Sequence, residues 1–530
     1  MAIRIFLVLV SATVLFAIFL LSLRSWLQRC KKKLKDSYDG PVNIGIFHPY
    51  CNAGGGGERV LWCAVRALQA KYDNIKIVIY TGDIDSSPNS IMEKVQETFN
   101  INIDKQNTSF VYLKRRLLVE AKLYPYFTLL GQSLGSIILG LEALCRFPPD
   151  IYIDTTGYTF TLPLFRFIGN CKVGCYVHYP TISMDMLRRV QRREYCHNNQ
   201  AYVVRNPFIT WVKVIYYRIF AKIYRWAGRC SDTIMVNSTW TENHIRDLWG
   251  VPFKTHRVYP PCEVKNLKSL TRNESPDKIV IISIGQFRPE KDHPLQLQAM
   301  YELRTLLSRN EDLWNKVKLI IVGSCRNDSD YERLKNMQDL AKHLSLENSV
   351  EFKVNVNFQE LLQLYQNAGI GIHTMWNEHF GIGIVECMAA GVIMVAHRSG
   401  GPLLDIIETS EGSQNGYLAI NAADYANCIL SIICNSKELN DAIRNAASTV
   451  QRGRSFGSSD VRRSSSHILN LFSISCLGTD AGVFDEFSIY SLSAGGVDFV
   501  LISFKNVHEP AATPSQQITT SPYHIKLMEW

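Results

Sequence analysis

Short apolar runs and amphipathic stretches alternate along most of this chain. Residues 42–49 are largely apolar and read as a buried strand. A glycine turn, Gly54 to Gly57, follows, and an amphipathic pattern then continues to Gln69. The next strand is expected over residues 76–80. Strand, glycine-rich turn, helix, strand is the opening crossover of a parallel sheet. Residues 150–154, 172–177 and 233–237 extend the series. Pro260, Pro261 and a polar stretch as far as Asp277 form a linker. A second series begins beyond it, with strands expected over 279–284, 319–322, 350–354, 370–373 and 392–396. Helical patterns over 295–307 and 360–367 separate them. Two such series predict an α/β protein of two doubly wound, Rossmann-like domains facing a cleft. Their bounds are expected at 40–262 and 277–453. After Arg454 the rhythm stops in a serine-rich stretch, so 455–530 reads as an atypical, poorly ordered tail. Residues 497–502 could form a strand there, with no evident pairing partner.

The N-terminal pattern is different. Residues 5–23 are uncharged and mostly apolar, close to the roughly 20 residues that span a bilayer as a helix. Arg4 precedes them; Arg24, Arg29, Lys31, Lys32, Lys33 and Lys35 follow. That bias predicts one transmembrane helix over 1–30, with the rest of the chain in the cytosol. A cleaved signal peptide competes, but Ser22-Leu23-Arg24-Ser25-Trp26 is a poor cleavage site. The 14 cysteines lack a C-x2-C pair or metal-ligand spacing, as expected of reduced thiols. The sequons at Asn107, Asn237, Asn273 and Asn327 are then chance matches. A net charge of +9 suits an anionic membrane surface or phosphorylated ligands better than nucleic acid.

The candidate chemistry lies at strand ends and glycine turns. Glu378 precedes a turn containing Gly381, Ile382 and Gly383, and Glu386 lies in the helix that follows. Glycines let backbone amides approach a ligand, and a helix N-terminus favours phosphate. Taken alone, two glutamates eight residues apart are commonly just solvated. Gly55 and Gly56 belong to an amide nest at a helix start that also suits phosphate. No Lys-Ser/Thr follows, so it is not a Walker loop. Arg288 and Lys291 follow the first strand of the second series, where cations can neutralise a departing diphosphate. His178 ends a first-domain strand, on the side where such sheets bind ligands. Ser238 reads as a helix cap. Arg188 and Arg189 lie in one basic stretch. Trp211 belongs to a basic-aromatic stretch, 208–226, in which Arg218, Lys222 and Arg225 share one helical side. An interfacial membrane helix and an ordinary solvated face both fit that pattern. Residues 123–144 fit either a lipid-dipping segment or a buried core helix.

The Glu378-x7-Glu386 turn and helix resemble the signature of retaining GT-B glycosyltransferases. The stretch from Gly285 to Lys291 resembles that family's Gly-Arg-x4-Lys motif. Lys291 matches its lysine, Gln286 stands in the arginine position, and Arg288 lies two residues later. With segments 48–62 and 174–183, residues 1–453 resemble the dolichol-pathway α-1,2-mannosyltransferases. The resemblance implies GDP-mannose as donor and a dolichyl-diphosphate oligosaccharide, a trimannosyl core, as acceptor. It implies retention, no cofactor or metal, and work on the cytosolic face of the endoplasmic reticulum membrane beside other mannosyltransferases of the pathway. Glu378 would hold mannose hydroxyls and Glu386 the ribose, with His178 at the transferred sugar. Lys291 and Arg288, with Gly55, Gly56, Gly381, Ile382 and Gly383, would hold the donor. Arg188, Arg189 and Trp211 would face acceptor and membrane. The tail departs from the family, whose chains end in a helix bracing the first domain. A UDP-sugar transferase and a catalytically inactive, membrane-anchored isoform remain as alternatives. A nicotinamide enzyme, with Asp83 as its acidic residue, fits the second-domain motif poorly.

Overall fold

The computed structural model describes residues 2–36, 41–193 and 205–453, apart from positions 263, 274, 276, 326 and 411, and a hairpin over 488–494 and 497–503. Two parallel sheets organise the long unit. The first has strands β1 (Val42–Phe47), β2 (Ile75–Thr81), β3 (Thr108–Tyr112), β4 (Ile151–Asp154), β5 (Lys172–Val177), β6 (Thr233–Val236) and β7 (Thr255–Arg257). The second has β8 (Ile279–Ile284), β9 (Val317–Gly323), β10 (Val350–Val354), β11 (Ile370–His373), β12 (Ile393–His397) and β13 (Tyr417–Ala419). Their orders are β3-β2-β1-β4-β5-β6-β7 and β10-β9-β8-β11-β12-β13. Counted within each sheet, both follow the doubly wound order 3-2-1-4-5-6, which β7 extends in the first. That order reverses between the first and fourth strands. β1/β4 and β8/β11 are therefore the switch points, and the site is built on their carboxyl ends.

Central strands are covered on both faces, which is why they read as unbroken apolar runs. β12 is buried throughout, and β1 at all positions but the first. The sequence pattern missed the strands that break this rule. β3 is a half-buried edge strand, and β7 and β13 have three residues each.

The helices are α1 (Ala2–Asp36), α2 (Gly56–Lys71), α3 (Pro88–Phe99), α4 (Thr128–Arg146), α5 (Met184–Gln191), α6 (Pro207–Arg229), α7 (Thr239–Trp249), α8 (His293–Leu306), α9 (Asp328–His343), α10 (Phe358–Asn367), α11 (Ile382–Ala389), α12 (Ala422–Cys434) and α13 (Lys437–Gly453). Side chains of Ser87, Ser183, Asn206, Ser238, Asn327, Asn357 and Asn421 accept from first-turn amides, so they cap α3, α5, α6, α7, α9, α10 and α12. Each cap contributes about 1 kcal/mol. The two helices that open on the cleft, α2 and α11, begin after glycine instead.

α1 and α4 are long and apolar enough to cross a membrane, by length and composition. The basic end of α1 docks on the first domain. Leu27 is buried there, Gln28 Nε2 donates to the Gly169 carbonyl at 3.2 Å, and Lys31 Nζ to the Asn170 carbonyl at 3.2 Å. α4 combines both expected characters: Ser136, Leu139 and Ala143 are buried, whereas Leu130, Leu134, Ile137 and Ile138 are exposed. The linker is less loose than its polar composition suggests. Cys262, Val264 and Leu267 pack into the second domain's core, and Arg272 donates to the carbonyls of Ala368 and Gly391. In the separate C-terminal unit the strand expected at 497–502 does have a partner. Ser488–Ala494 pairs antiparallel with Val497–Ser503. The rest of the expected tail lies outside the described residues.

Candidate functional site

In the second domain, Lys291 follows β8 and Glu378 follows β11. Their sequence separation is closed by the switch point, so Lys291 Nζ lies 2.6 Å from Glu378 Oε2. The Nε2 of His373, the last residue of β11, lies 3.0 Å from the same oxygen. Burial alone would raise the Glu378 pKa, but the Lys291 ammonium and the His373 ring hold it well below the usual carboxylate range. Glu378 is thus an anion with a cation beside it. Thr374 Oγ1 donates to the Lys291 carbonyl at 2.8 Å and fixes the turn that carries the lysine.

The chain then turns sharply. Gly381 has φ of 114°, a conformation that favours glycine. α11 starts at the next residue with no side-chain cap. Its first amides and the positive end of its dipole stay available to a ligand anion. Glu386 sits one turn into this helix, 3.8 Å from Arg59 Nη1 of α2.

The first domain meets this turn with its own. The Gly55 amide donates to Glu58 Oε2 at 2.6 Å, so the second carboxylate on the cleft caps its own helix. Burial opposes ionisation of Glu58, and contact with His48 outweighs it, lowering its pKa. His48 Nε2 lies 3.4 Å from Glu58 Oε1, and its Nδ1 lies 2.7 Å from Thr155 Oγ1. His48 follows β1 and Thr155 follows β4, so this pair bridges the first switch point. His178 follows β5. Its Nε2 is buried without a hydrogen-bond partner among the described residues. Burial, helped by His48, lowers its pKa to about 4 and keeps the ring neutral near pH 7. His379 lies between aromatic rings of the first domain, 4.5 Å from Tyr179 and 5.1 Å from Trp240 between ring centres.

A cavity of about 750 Å³ joins the two halves, within the range of small-ligand sites. Gly55, Gly56, His178, Lys291, Glu378, Gly381, Ile382 and Gly383 all line it. Arg288 lines a second cavity of about 400 Å³ with Asp292, His293 and Arg333. Glu386 is not among the lining residues of the large cavity; its carboxylate lies 3.8 Å from Arg59 Nη1. Arg188 and Trp211 are exposed on α5 and α6, outside the cavity lining. Arg189 lies on α5. Ser238 caps α7, accepting from Thr241 N at 3.1 Å. His48, Glu58, His373 and His379 were not singled out from sequence. Their signal was position: His48 directly follows a switch-point strand, and His373 ends one. Among the described residues no three His, Cys, Asp or Glu side chains gather as a metal site.

The arrangement gathers an uncapped helix start, a lysine paired with an anionic carboxylate, and a neutral imidazole around one cavity. Residues 41–249 match the model described as ALG11 mannosyltransferase N-terminus, and residues 267–449 match glycosyl transferases group 1. A GDP-Man:Man(3)GlcNAc(2)-PP-Dol alpha-1,2-mannosyltransferase of Xenopus laevis is 50% identical over 442 residues, covering 83% of this chain and 90% of that one. The Homo sapiens protein of the same description is 51% identical over 439 residues, covering 82% and 88%. The crystal structure of Anabaena HepE with UDP-glucose superposes with a TM-score of 0.55 at 16% identity, covering 81% and 99%, which establishes a shared two-domain fold. With half of the aligned residues identical across nine-tenths of such a relative, the chain belongs to the family of GDP-Man:Man(3)GlcNAc(2)-PP-Dol alpha-1,2-mannosyltransferases.

Proposed function

We propose that this protein transfers mannose from GDP-mannose, in α-1,2 linkage and with retention, to a dolichyl-diphosphate-linked oligomannosyl-chitobiose. One observation carries the reading: the uncapped N-terminus of α11 stands beside a lysine that is paired with an anionic glutamate. The donor diphosphate takes the α11 amides and Lys291. Both stabilise the negative charge that grows on the leaving diphosphate, in a geometry already set before reaction. Glu378 accepts hydrogen bonds from mannose hydroxyls; the ribose is assigned to Glu386, which lies one turn into α11 outside the cavity lining and has to turn from Arg59 to reach it. Neutral His178 faces the transferred sugar and contributes no competing positive charge. A donor phosphate oxygen receives the acceptor hydroxyl's proton, so the anomeric oxygen leaves on the face where the acceptor arrives. Residues 277–453 form the nucleotide-sugar half, and residues 40–262 the acceptor and membrane half.

α1 and two further faces support a place at a membrane. Leu130, Leu134, Ile137 and Ile138 are exposed on α4, and Phe208, Trp211, Ile219 and Ile223 are exposed on α6. The two helices touch where the Tyr216 hydroxyl meets the Leu130 amide at 3.1 Å. Arg218 and Lys222 are exposed on the same helix. Apolar side chains rimmed by cations support an endoplasmic reticulum membrane enzyme with its cleft on the cytosolic side. Arg188, Arg189 and Trp211 meet the lipid-borne acceptor there, beside other mannosyltransferases of the pathway. The test is transfer of label from GDP-mannose to a phytanyl-diphosphate trimannosyl-chitobiose. Product is expected with the intact chain and not with Glu378→Ala. Product from UDP-sugars but not GDP-mannose would overturn the donor assignment.

A further inference from the structure

Behind the turn that carries Glu378, a buried carboxylate ties the two domains together. Asp405 lies in the helical turn Pro402–Ile406 after β12 and is 1% exposed. It accepts from Thr239 N at 2.9 Å, from Thr239 Oγ1 at 2.5 Å and from the Tyr259 hydroxyl at 2.9 Å. Arg257 Nη1 lies 4.0 Å away. Thr239 and Arg257 come from the first domain, where they open α7 and end β7, and Tyr259 stands in the crossing chain with its ring centre 5.4 Å from that of Phe380. Ser238 already caps the Thr241 amide. Asp405 therefore supplies a second cap to α7 from the opposite domain, at the positive end of the helix dipole. A carboxylate this buried depends on its donors, because an ionised group without them is costly to bury. Parting the domains at this edge strips the carboxylate of these donors and hands it to water.

The same segment grips the catalytic turn. Ser399 Oγ accepts from the Asn377 amide at 2.7 Å. The Gly401 amide donates at 2.7 Å to the Glu378 carbonyl, a backbone bond to the residue that bears the carboxylate. No side chain fits at Gly401, because a Cβ there would lie 2.5 Å from the Phe380 carbonyl oxygen and 2.6 Å from that of His379. The segment from Ser399 to Asp405 thus holds the Glu378 turn at one end and the first domain at the other. We infer that Asp405 is a positioning residue that couples closure of the cleft to the placement of Glu378. The inference rests on the transfer reading above and adds a group that does not touch the substrate.

The test uses the full chain in detergent. Asp405→Asn keeps the shape and removes the charge. A second variant, Thr239→Val with Tyr259→Phe, removes the first-domain hydroxyl and the crossing-chain hydroxyl and leaves the carboxylate in place. Three quantities are read: GDP affinity by calorimetry, kcat and KM for GDP-mannose, and hydrogen exchange at the start of α7. Misplacing a reacting group slightly can cost on the order of 100-fold. Both variants are therefore expected to lose about 10-fold or more in kcat, with GDP affinity within about 2-fold of the parent. Faster exchange is expected at the first turn of α7. Parental kcat in both variants, or a parallel loss of GDP affinity and activity in whichever variant folds, would overturn the inference. If the parent chain itself transfers no mannose, the transfer reading fails, and the exchange measurement alone then decides whether Asp405 holds the domains.

Discussion

The two halves of the cleft use one topology to opposite ends. In each domain a glycine-led helix starts at the switch point of a 3-2-1-4-5-6 sheet. In the first domain Glu58 folds back onto the Gly55 amide, and His48 holds Glu58 in turn. In the second, the carboxylate stands ahead of the helix, is paired with Lys291, and leaves the α11 amides uncapped. A helix end that satisfies itself is a wall; one that does not is a binding surface. The difference lies in where the glutamate falls relative to the glycines, three residues after Gly55 or three before Gly381.

That contrast can be broken by mutation. Glu378→Ala should have the largest effect, a loss of about 1,000-fold in kcat, with GDP still bound. An equal loss of GDP affinity in calorimetry would mean that Glu378 supports the turn rather than the sugar. Lys291→Ala should cost about 100-fold in kcat and also weaken GDP binding if, as proposed, it is the cation at the leaving diphosphate.

Acid should act on both halves. His178 and His293 carry pKa values lowered to about 4 from an ordinary 6.5, mainly by burial. Between those values the unfolded chain binds protons that the folded chain refuses, so stability falls as pH drops from about 6.5 towards 4. Asp154, raised to about 7 by burial, works in the opposite direction over most of that range. The two histidines outweigh it, and a net loss on the order of 1–2 kcal/mol is expected between pH 7 and pH 5. Urea midpoints at the two pH values would measure it.

Glu58→Gln should have the smallest effect. It weakens a cap worth about 1 kcal/mol, lowers Tm by a few degrees at most, and leaves GDP affinity unchanged. A fall in GDP affinity, measured by calorimetry, would mean that the first turn also holds the nucleotide and that the contrast is false.

Much of this was legible in the sequence because parallel strands buried on both faces leave unbroken apolar runs. The glycine turns and Lys291 were legible as motifs. The partners were not, because topology assembles them: 107 positions separate His48 from Thr155, and 87 separate Lys291 from Glu378. Arg288 shows the same limit at short range. It is three residues from Lys291, yet the single turn Pro289–Lys291 sends the two side chains into different cavities. β7 and β13 are too short to carry a period, and only the sheet reveals them.

The linker sets how the halves can move. Cys262 and Leu267 are core residues of the second domain, and Arg272 is fastened to its carbonyls. Tyr259 is tied to Asp405 as well, so the crossing chain has little slack beyond Pro260 and Pro261, whose φ is fixed by their rings. Such a joint acts as a short door hinge and not as a string. Each time the cleft opens to exchange nucleotide, it should swing about one axis and bring the same faces back into register.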